Sequence, residues 1–210
     1  MITIHHLNNS RSQRIVWLLE EIGDPYEIVH HTRDEATNLA PPSLTALHPL
    51  GKSPMIVDND VSDGRLITES GAIVEYLARK FAPQLVPAAD SDAHITHLEL
   101  MHFAEGSAML PVLLRLYTSR LGDAAAPLAP RIDEQLAAHF DHMERMLRPS
   151  GHYVLDDLSA ADIMLSFPAE IARAQGFTAD RPKLGDFVDM VHARPAWQRA
   201  IDKTAPYNFA

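Results

Sequence analysis

A serine at the start of a helix is placed to serve an anion, and the segment Asn9-Ser10-Arg11-Ser12-Gln13 offers one. The first N–H groups of a helix lack internal partners and carry partial positive charge. A hydroxyl beside them can donate to a bound thiolate, and such donors bring a thiol of pKa about 8.5 towards neutrality. Ser10-x-x-Gln13 also matches a capping box. The two roles are compatible, because the oxygen accepts from the backbone while the hydrogen points outward. Ser12 and Arg11 are rivals for the activating role; Ser12, two positions further along a helix, points elsewhere and ranks second. The chain has no cysteine, which removes disulfides, thiolate metal ligands and a cysteine nucleophile together. Any thiol it works on must be borrowed.

Two further segments place polar groups at a turn. In Thr68-Glu69-Ser70-Gly71-Ala72 a strand gives way to a helix whose first amides suit a carboxylate. The Ser70 hydroxyl adds a hydrogen bond there and Glu69 can meet an ammonium, so an α-amino acid end group fits. A plain N-cap role for Thr68 or Ser70 explains the same residues. Ser53-Pro54 stands just before a strand, where proline removes no needed ladder donor. X-Pro bonds are cis in only about 5–6% of cases, so the residue types alone favour a trans turn. A cis bond would face the Ser53 N–H and C=O outward, ready to pair with an extended peptide. Leu158-Ser159-Ala160-Ala161-Asp162 is a capping box with a structural purpose. His94/His97 and His139/His142 have ligand spacing but no third partner and no HExxH, so no metal is expected. Met101, Met109, Met143 and Met146 read as core filler.

Composition narrows the classes. Hydrophobic residues make up 46% and charged residues 22% of 210, an ordinary globular balance. The net charge is −10, with 18 basic residues scattered among 28 acids, which argues against nucleic acid as a partner. No apolar run approaches the roughly 18–20 residues of a membrane span. Met1-Ile-Thr-Ile-His-His6 lacks the basic and apolar regions of a signal peptide, so a cytoplasmic location is expected.

The elements that must position these residues follow from periodicity. Strands are predicted at 2–7, 26–31, 55–58 and 65–68, the last two as a hairpin. Apolar residues at helical spacing from Ile15 to Ile22 stop at Gly23, and a second run covers 71–81. There is room for one short helix between 41 and 51. The order βαβ-α-ββα over 1–81 is that of an α/β thioredoxin-like domain. Residues 82–92, with Pro83 and Pro87, read as a linker. The rest, 93–210, reads as an all-α helical bundle: 95–121 kinked at Pro111, then 132–147, 160–174, 183–193 and 196–203.

Taken together, Ser10-Arg-Ser-Gln-Arg14, His48-Pro-Leu-Gly-Lys-Ser-Pro54, Ile67-Thr-Glu-Ser-Gly-Ala-Ile73 and Leu158-Ser-Ala-Ala-Asp162 resemble the cytosolic glutathione transferases. The resemblance covers nearly the whole chain and is nearest to bacterial and fungal members with a serine at the first helix. It implies a cis Ser53–Pro54 bond and an enzyme that activates the glutathione thiol for attack on an apolar electrophile, in detoxification. By the same resemblance the Ser53 backbone pairs with the cysteinyl part, Glu69 and Ser70 hold the γ-glutamyl end, and Lys52 and His48 face the glycine carboxylate. Ser10 matches the thiolate-stabilising serine. A homodimer is implied, with Glu105 reaching the partner subunit's γ-glutamyl amine and Ser107, Leu110 and Tyr117 lining the acceptor pocket. Two departures stand out: His48 replaces a common asparagine and Ser53 a common β-branched residue. Two other readings share the pattern: a non-catalytic binding or interaction protein, and a glutathione-dependent peroxidase or isomerase.

Overall fold

A computed structural model describes residues 1–61 and 63–209. They divide into two compact units, one of residues 1–85 with 191–210 and one of residues 86–190. This differs from the expected boundaries of 1–81, 82–92 and 93–210. The last helix belongs with the N-terminal unit, and Pro83–Leu85 forms a single 3₁₀ turn within the expected linker.

In the first unit β1 (Ile2–Leu7), β2 (Tyr26–His31), β3 (Met55–Asp58) and β4 (Arg65–Thr68) form one sheet in the order β2-β1-β3-β4. β1 runs parallel to β2 and antiparallel to β3, and β3 is antiparallel to β4. Successive strand side chains face opposite ways. Ile2, Ile4 and His6 therefore share one face and Thr3, His5 and Leu7 the other. Ile4 and Ile56, paired in register, are fully buried, and α1 (Ser12–Ile22) and α3 (Ser70–Phe81) pack over the sheet. Leu7 and Met55 pack with Leu44 of the short α2 (Pro42–Thr45), flanked by Ala40 and Leu66.

At the far end of β3, Asp58 is fully buried and accepts hydrogen bonds from Lys80, from Tyr76 Oη (2.6 Å) and from the Asp60 amide (2.9 Å). Burial pushes its carboxyl up. The hydrogen bonds and the Lys80 charge outweigh that and take it from 3.8 down to about 2. A folded pKa below the unfolded one gives stability that is complete above about pH 4 and lost as pH falls towards 2. Lys80 is partly exposed, so the contribution is about 1–2 kcal/mol. Asp58→Asn is expected to lower stability at pH 7 and to flatten the acid limb below pH 4, read by urea unfolding at several pH values. An unchanged acid limb would contradict the assignment.

α9 (Pro195–Thr204) packs along α1. Arg199 Nε donates to Glu20 at 2.8 Å, Lys203 donates to the same carboxylate, and Arg194 Nε donates to Glu21 at 2.6 Å. Trp197, Ala200 and Thr204 are buried, and Thr204 Oγ1 donates to Gln13. The amphipathic pattern predicts this helix but cannot name the helix it packs against.

The second unit is helical. α4 (Asp92–Phe103) and α5 (Met109–Thr118) are joined by a π turn at Ala104–Ala108. The sequence predicts one helix over 95–121 with its distortion at Pro111; the distortion falls instead one turn earlier. Pro111 has no N–H to give the Ser107 carbonyl and its ring crowds that group, so the preceding turn widens. A 3₁₀ segment, Ser119–Ala125, follows. α6 (Ala129–Met146) precedes α7 (Ala160–Ala174), which is buried from Ala160 to Ala172. α8 (Pro182–His192) leads back to the first unit. α7 opens on a complete capping box: Asp162 N donates to Ser159 Oγ, and Ser159 N donates to Asp162 at 2.7 Å. The other Asp162 oxygen accepts from the Tyr153 amide at 2.9 Å, tying down the preceding loop.

Candidate active site

Strand register gathers three of the candidate segments at one end of the sheet. His5 opposes Met55 across β1 and β3, and Thr68 opposes Met55 across β3 and β4. Continuing the antiparallel register sets Ser53 beside Leu7, from which the chain runs on to Ser10. Pro54 and Glu69 each adjoin the last β3–β4 pair, Met55 with Thr68, and Ser70 follows as the first residue of α3. Ser53 Oγ donates to the His5 carbonyl at 3.0 Å, which fixes the loop to β1. The Ser53–Pro54 bond is cis, as is Ala205–Pro206, which the sequence did not suggest.

Ser10 lies just before α1. The predicted capping box is not formed: the Gln13 amide donates to the Ser10 carbonyl at 3.1 Å, and Gln13 Oε1 is taken by Thr204. Ser10 Oγ instead accepts from the Ser12 amide at 3.2 Å and lies 2.8 Å from Ser12 Oγ. Ser12 has no exposed surface, whereas Ser10 keeps 7%. In this arrangement the Ser12 hydroxyl cannot touch a ligand. Arg11 is half-buried.

Glu69 is exposed and holds φ 66°, ψ 122°, a conformation that costs a residue with a Cβ of order 1–3 kcal/mol and that collects at functional sites. The kink turns the chain from β4 into α3, with Ser70 buried as its first residue. Lys52 is exposed and His48 half-buried on the loop between α2 and β3. That loop depends on Gly51, at φ 54°, whose added Cβ would lie 2.4 Å from Thr45 Cγ2. Gly51→Ala is expected to cost about 1–2 kcal/mol in thermal or urea unfolding. Thr45→Ser should recover only the part due to the methyl clash, because the positive φ remains.

The sequence missed two residues behind the site. Arg33 clamps the loop after β1, donating through its amide to Asn8 Oδ1 (2.9 Å) and through Nε to the Asn8 carbonyl (3.1 Å). Its place just past β2, parallel to β1, was the available signal. His6 lies with Nδ1 2.9 Å from Ser12 Oγ, and burial, then His30 and His31, lower its pKa to about 4.

The remaining candidates lie in the second unit. Glu105 and Ser107 are half-buried on the π turn, while Leu110, Leu114 and Tyr117 are exposed along one face of α5. His94 and His97 stack on each other, and His139 and His142 pack on Phe103. An apolar cleft of about 270 Å³ opens at the opposite end of the sheet, lined by Met1, Leu19, Ile22, Pro25 and Phe81. Its charged side chains are Asp24 and Asp60, which suit no anionic ligand.

Residues 1–79 match the family model described as "Glutathione S-transferase, N-terminal domain". The chain is 34% identical to Glutathione S-transferase 3 of Schizosaccharomyces pombe, over 97% of this chain and 88% of that protein. A crystal structure of a glutathione S-transferase from Actinobacillus pleuropneumoniae superposes with a TM-score of 0.87 at 31% identity, covering 99% of this chain and 94% of that one. A glutathione transferase homolog from Sulfitobacter, solved with bound glutathione, gives 0.80 at 25% identity over 97% and 98%. Likeness at this level, running through both units, establishes that the chain belongs to the glutathione S-transferase family.

Proposed function

We propose that this chain is a glutathione transferase in which the Ser10 hydroxyl stabilises the glutathione thiolate. Ser10 follows β1, Ser53 precedes β3 and bonds the His5 carbonyl, and Glu69-Ser70 follows β4, all at the same end of the sheet, and this placement carries the reading. The Ser53 backbone pairs with the cysteinyl residue. Glu69 and the first amides of α3 take the two charges of the γ-glutamyl end. Lys52 and His48 serve the glycine carboxylate. Once the thiol proton has left to solvent, Ser10 donates to S⁻, and the thiolate attacks an electrophilic carbon held nearby. With an activated aryl halide the C–S bond forms first by addition to the ring carbon, and the carbon–halogen bond then breaks to release halide.

The acceptor is an apolar electrophile bordered by Ser107, Leu110 and Tyr117. A homodimer is part of the proposal, with Glu105 of one protomer reaching the γ-glutamyl amine bound by the other. So are cytoplasmic residence and a role in clearing electrophiles. Retention on immobilised glutathione with conjugation of a generic aryl halide is the expected result, and sedimentation should give a dimer. Retention without turnover on an aryl halide and peroxide panel would overturn the enzymatic reading and leave a binding protein.

A further inference from the structure

Ser10 is the outer end of a buried hydrogen-bonded chain. Ser12 Oγ lies 2.8 Å from Ser10 Oγ and 2.9 Å from His6 Nδ1. It also accepts from the Leu7 amide at 3.2 Å and has the Leu7 carbonyl within donating reach at 3.2 Å. Ser12 is fully buried and His6 is 2% exposed, so no solvent competes for these groups.

A hydroxyl has one hydrogen and two lone pairs, and that count fixes the sense of the chain once the His6 tautomer is known. If Nδ1 carries the proton, Ser12 Oγ accepts from both His6 and Leu7 and has no lone pair left for Ser10. The one Ser12 hydrogen then has two acceptors, Ser10 Oγ at 2.8 Å and the Leu7 carbonyl at 3.2 Å, and the shorter approach, repulsive without a hydrogen, directs it to Ser10. Ser10 accepts from the Ser12 hydroxyl and the Ser12 amide, and its own hydrogen is released to point out of the chain. If Nε2 carries the proton, every arrow reverses: Ser12 donates to His6, and Ser10 donates inward and has no hydrogen to offer a ligand.

The surroundings of the ring favour the first case. Nε2 is buried and has no hydrogen-bond partner among the described residues. An orphaned buried N–H is rarer than an unfilled acceptor, so the proton belongs on Nδ1. The His30 ring stands edge-on at 5.7 Å and His31 adds to the repulsion of positive charge, which keeps the imidazole neutral. The Thr204 backbone opposes this by favouring a protonated ring, but Nε2 makes no hydrogen bond to it.

We propose that His6, as the neutral Nδ1–H tautomer, acts through Ser12 as a positioning residue that turns the Ser10 hydrogen outward and polarises it towards the glutathione sulfur. Two bonds accepted by Ser10 strengthen the one it gives. The inference rests on Ser10 being the hydroxyl that meets the thiol.

Three variants and one spectrum test it. His6→Leu removes the donor to Ser12, Ser12→Ala breaks the chain, and His6→Asn restores an N–H near the Nδ1 position. The pKa of enzyme-bound glutathione is read from thiolate ultraviolet absorbance, alongside the pH profile of kcat/KM. His6→Leu and Ser12→Ala are expected to raise the bound-thiol pKa by roughly half a unit to one unit. They should lower kcat/KM at neutral pH about three- to tenfold, with glutathione affinity unchanged and the gap closing at alkaline pH. His6→Asn should stay within about twofold of the parent. Nitrogen NMR of histidine-labelled protein, with His6 assigned by its absence in His6→Asn, should show the Nδ1-protonated tautomer. If Ser12→Ala fails to fold, the two His6 variants decide. An Nε2–H tautomer, or a His6→Leu enzyme with a parental thiol pKa while Ser10→Ala shifts it, overturns the inference and leaves the role of Ser10 standing. A parental thiol pKa in Ser10→Ala itself would remove the role of Ser10 and this inference with it.

Discussion

Ser10→Ala is expected to raise the pKa of bound glutathione by about one to two units and to lower kcat/KM at neutral pH roughly ten- to hundredfold. The size follows from the bond removed: a hydrogen bond to a charged group contributes about 1.5–3 kcal/mol, and one pKa unit corresponds to about 1.4 kcal/mol. Glutathione affinity should change little, because the Ser53 backbone and the Glu69-Ser70 corner hold the peptide at other points. The loss should shrink as pH rises past the new thiol pKa, since the deprotonated form no longer needs help to exist. A serine serving only the backbone would produce a different pattern, with lower thermal stability and an unchanged pH profile. Equal turnover across the pH range would remove Ser10 from the chemistry and return attention to Arg11, since Ser12 has no exposed surface.

Deleting residues 191–210 is expected to abolish folding of the first unit, although every residue of the proposed glutathione site in that unit remains. The segment contributes the buried side chains of Val191, Ala196, Trp197, Ala200 and Tyr207. Large apolar side chains each stabilise by about 1.5–3 kcal/mol on burial, against a total stability of about 5–15 kcal/mol for a typical protein. The deletion also strips Arg199 and Lys203 from Glu20 and Arg194 from Glu21, leaving two part-buried carboxylates uncompensated. Insoluble expression, or loss of the cooperative thermal transition together with loss of retention on glutathione, is the expected outcome. A soluble, glutathione-binding 1–190 fragment would show that the contacts between α1 and α9 are dispensable.

The strands were legible because their signal is local. All four predicted spans, 2–7, 26–31, 55–58 and 65–68, coincide with the observed ones, each short run being bounded by turn residues. The Ser159/Asp162 cap was legible for the same reason, since both halves lie within one turn. The Ser10 cap looked just as convincing and did not form. Ser12 and Gln13 are drawn to Leu7, His6 and Thr204, none of which is a helix neighbour. Long-range partners also account for the misplaced end of the first unit and for Arg33. The shift of the distortion from Pro111 to the π turn is a matter of where a helix relieves a clash, which the proline alone does not specify. At the candidate site, residue types located the segments, and strand register explains why segments spread over residues 10–70 meet at one end of the sheet.

Because the first unit is closed by residues 191–210, the helical layer over its sheet cannot be completed in the order in which the chain is made. The strands and α1 leave the ribosome well before α9, and the whole second unit is synthesised in between. Until then the apolar flank of α1, including Trp17, has no cover from its partner helix. Domains that are continuous in sequence can fold as they emerge; this one must wait for its own tail. A stalled or prematurely terminated chain therefore presents an uncovered flank of α1 rather than a finished small domain, which makes it a natural client for chaperones and proteases.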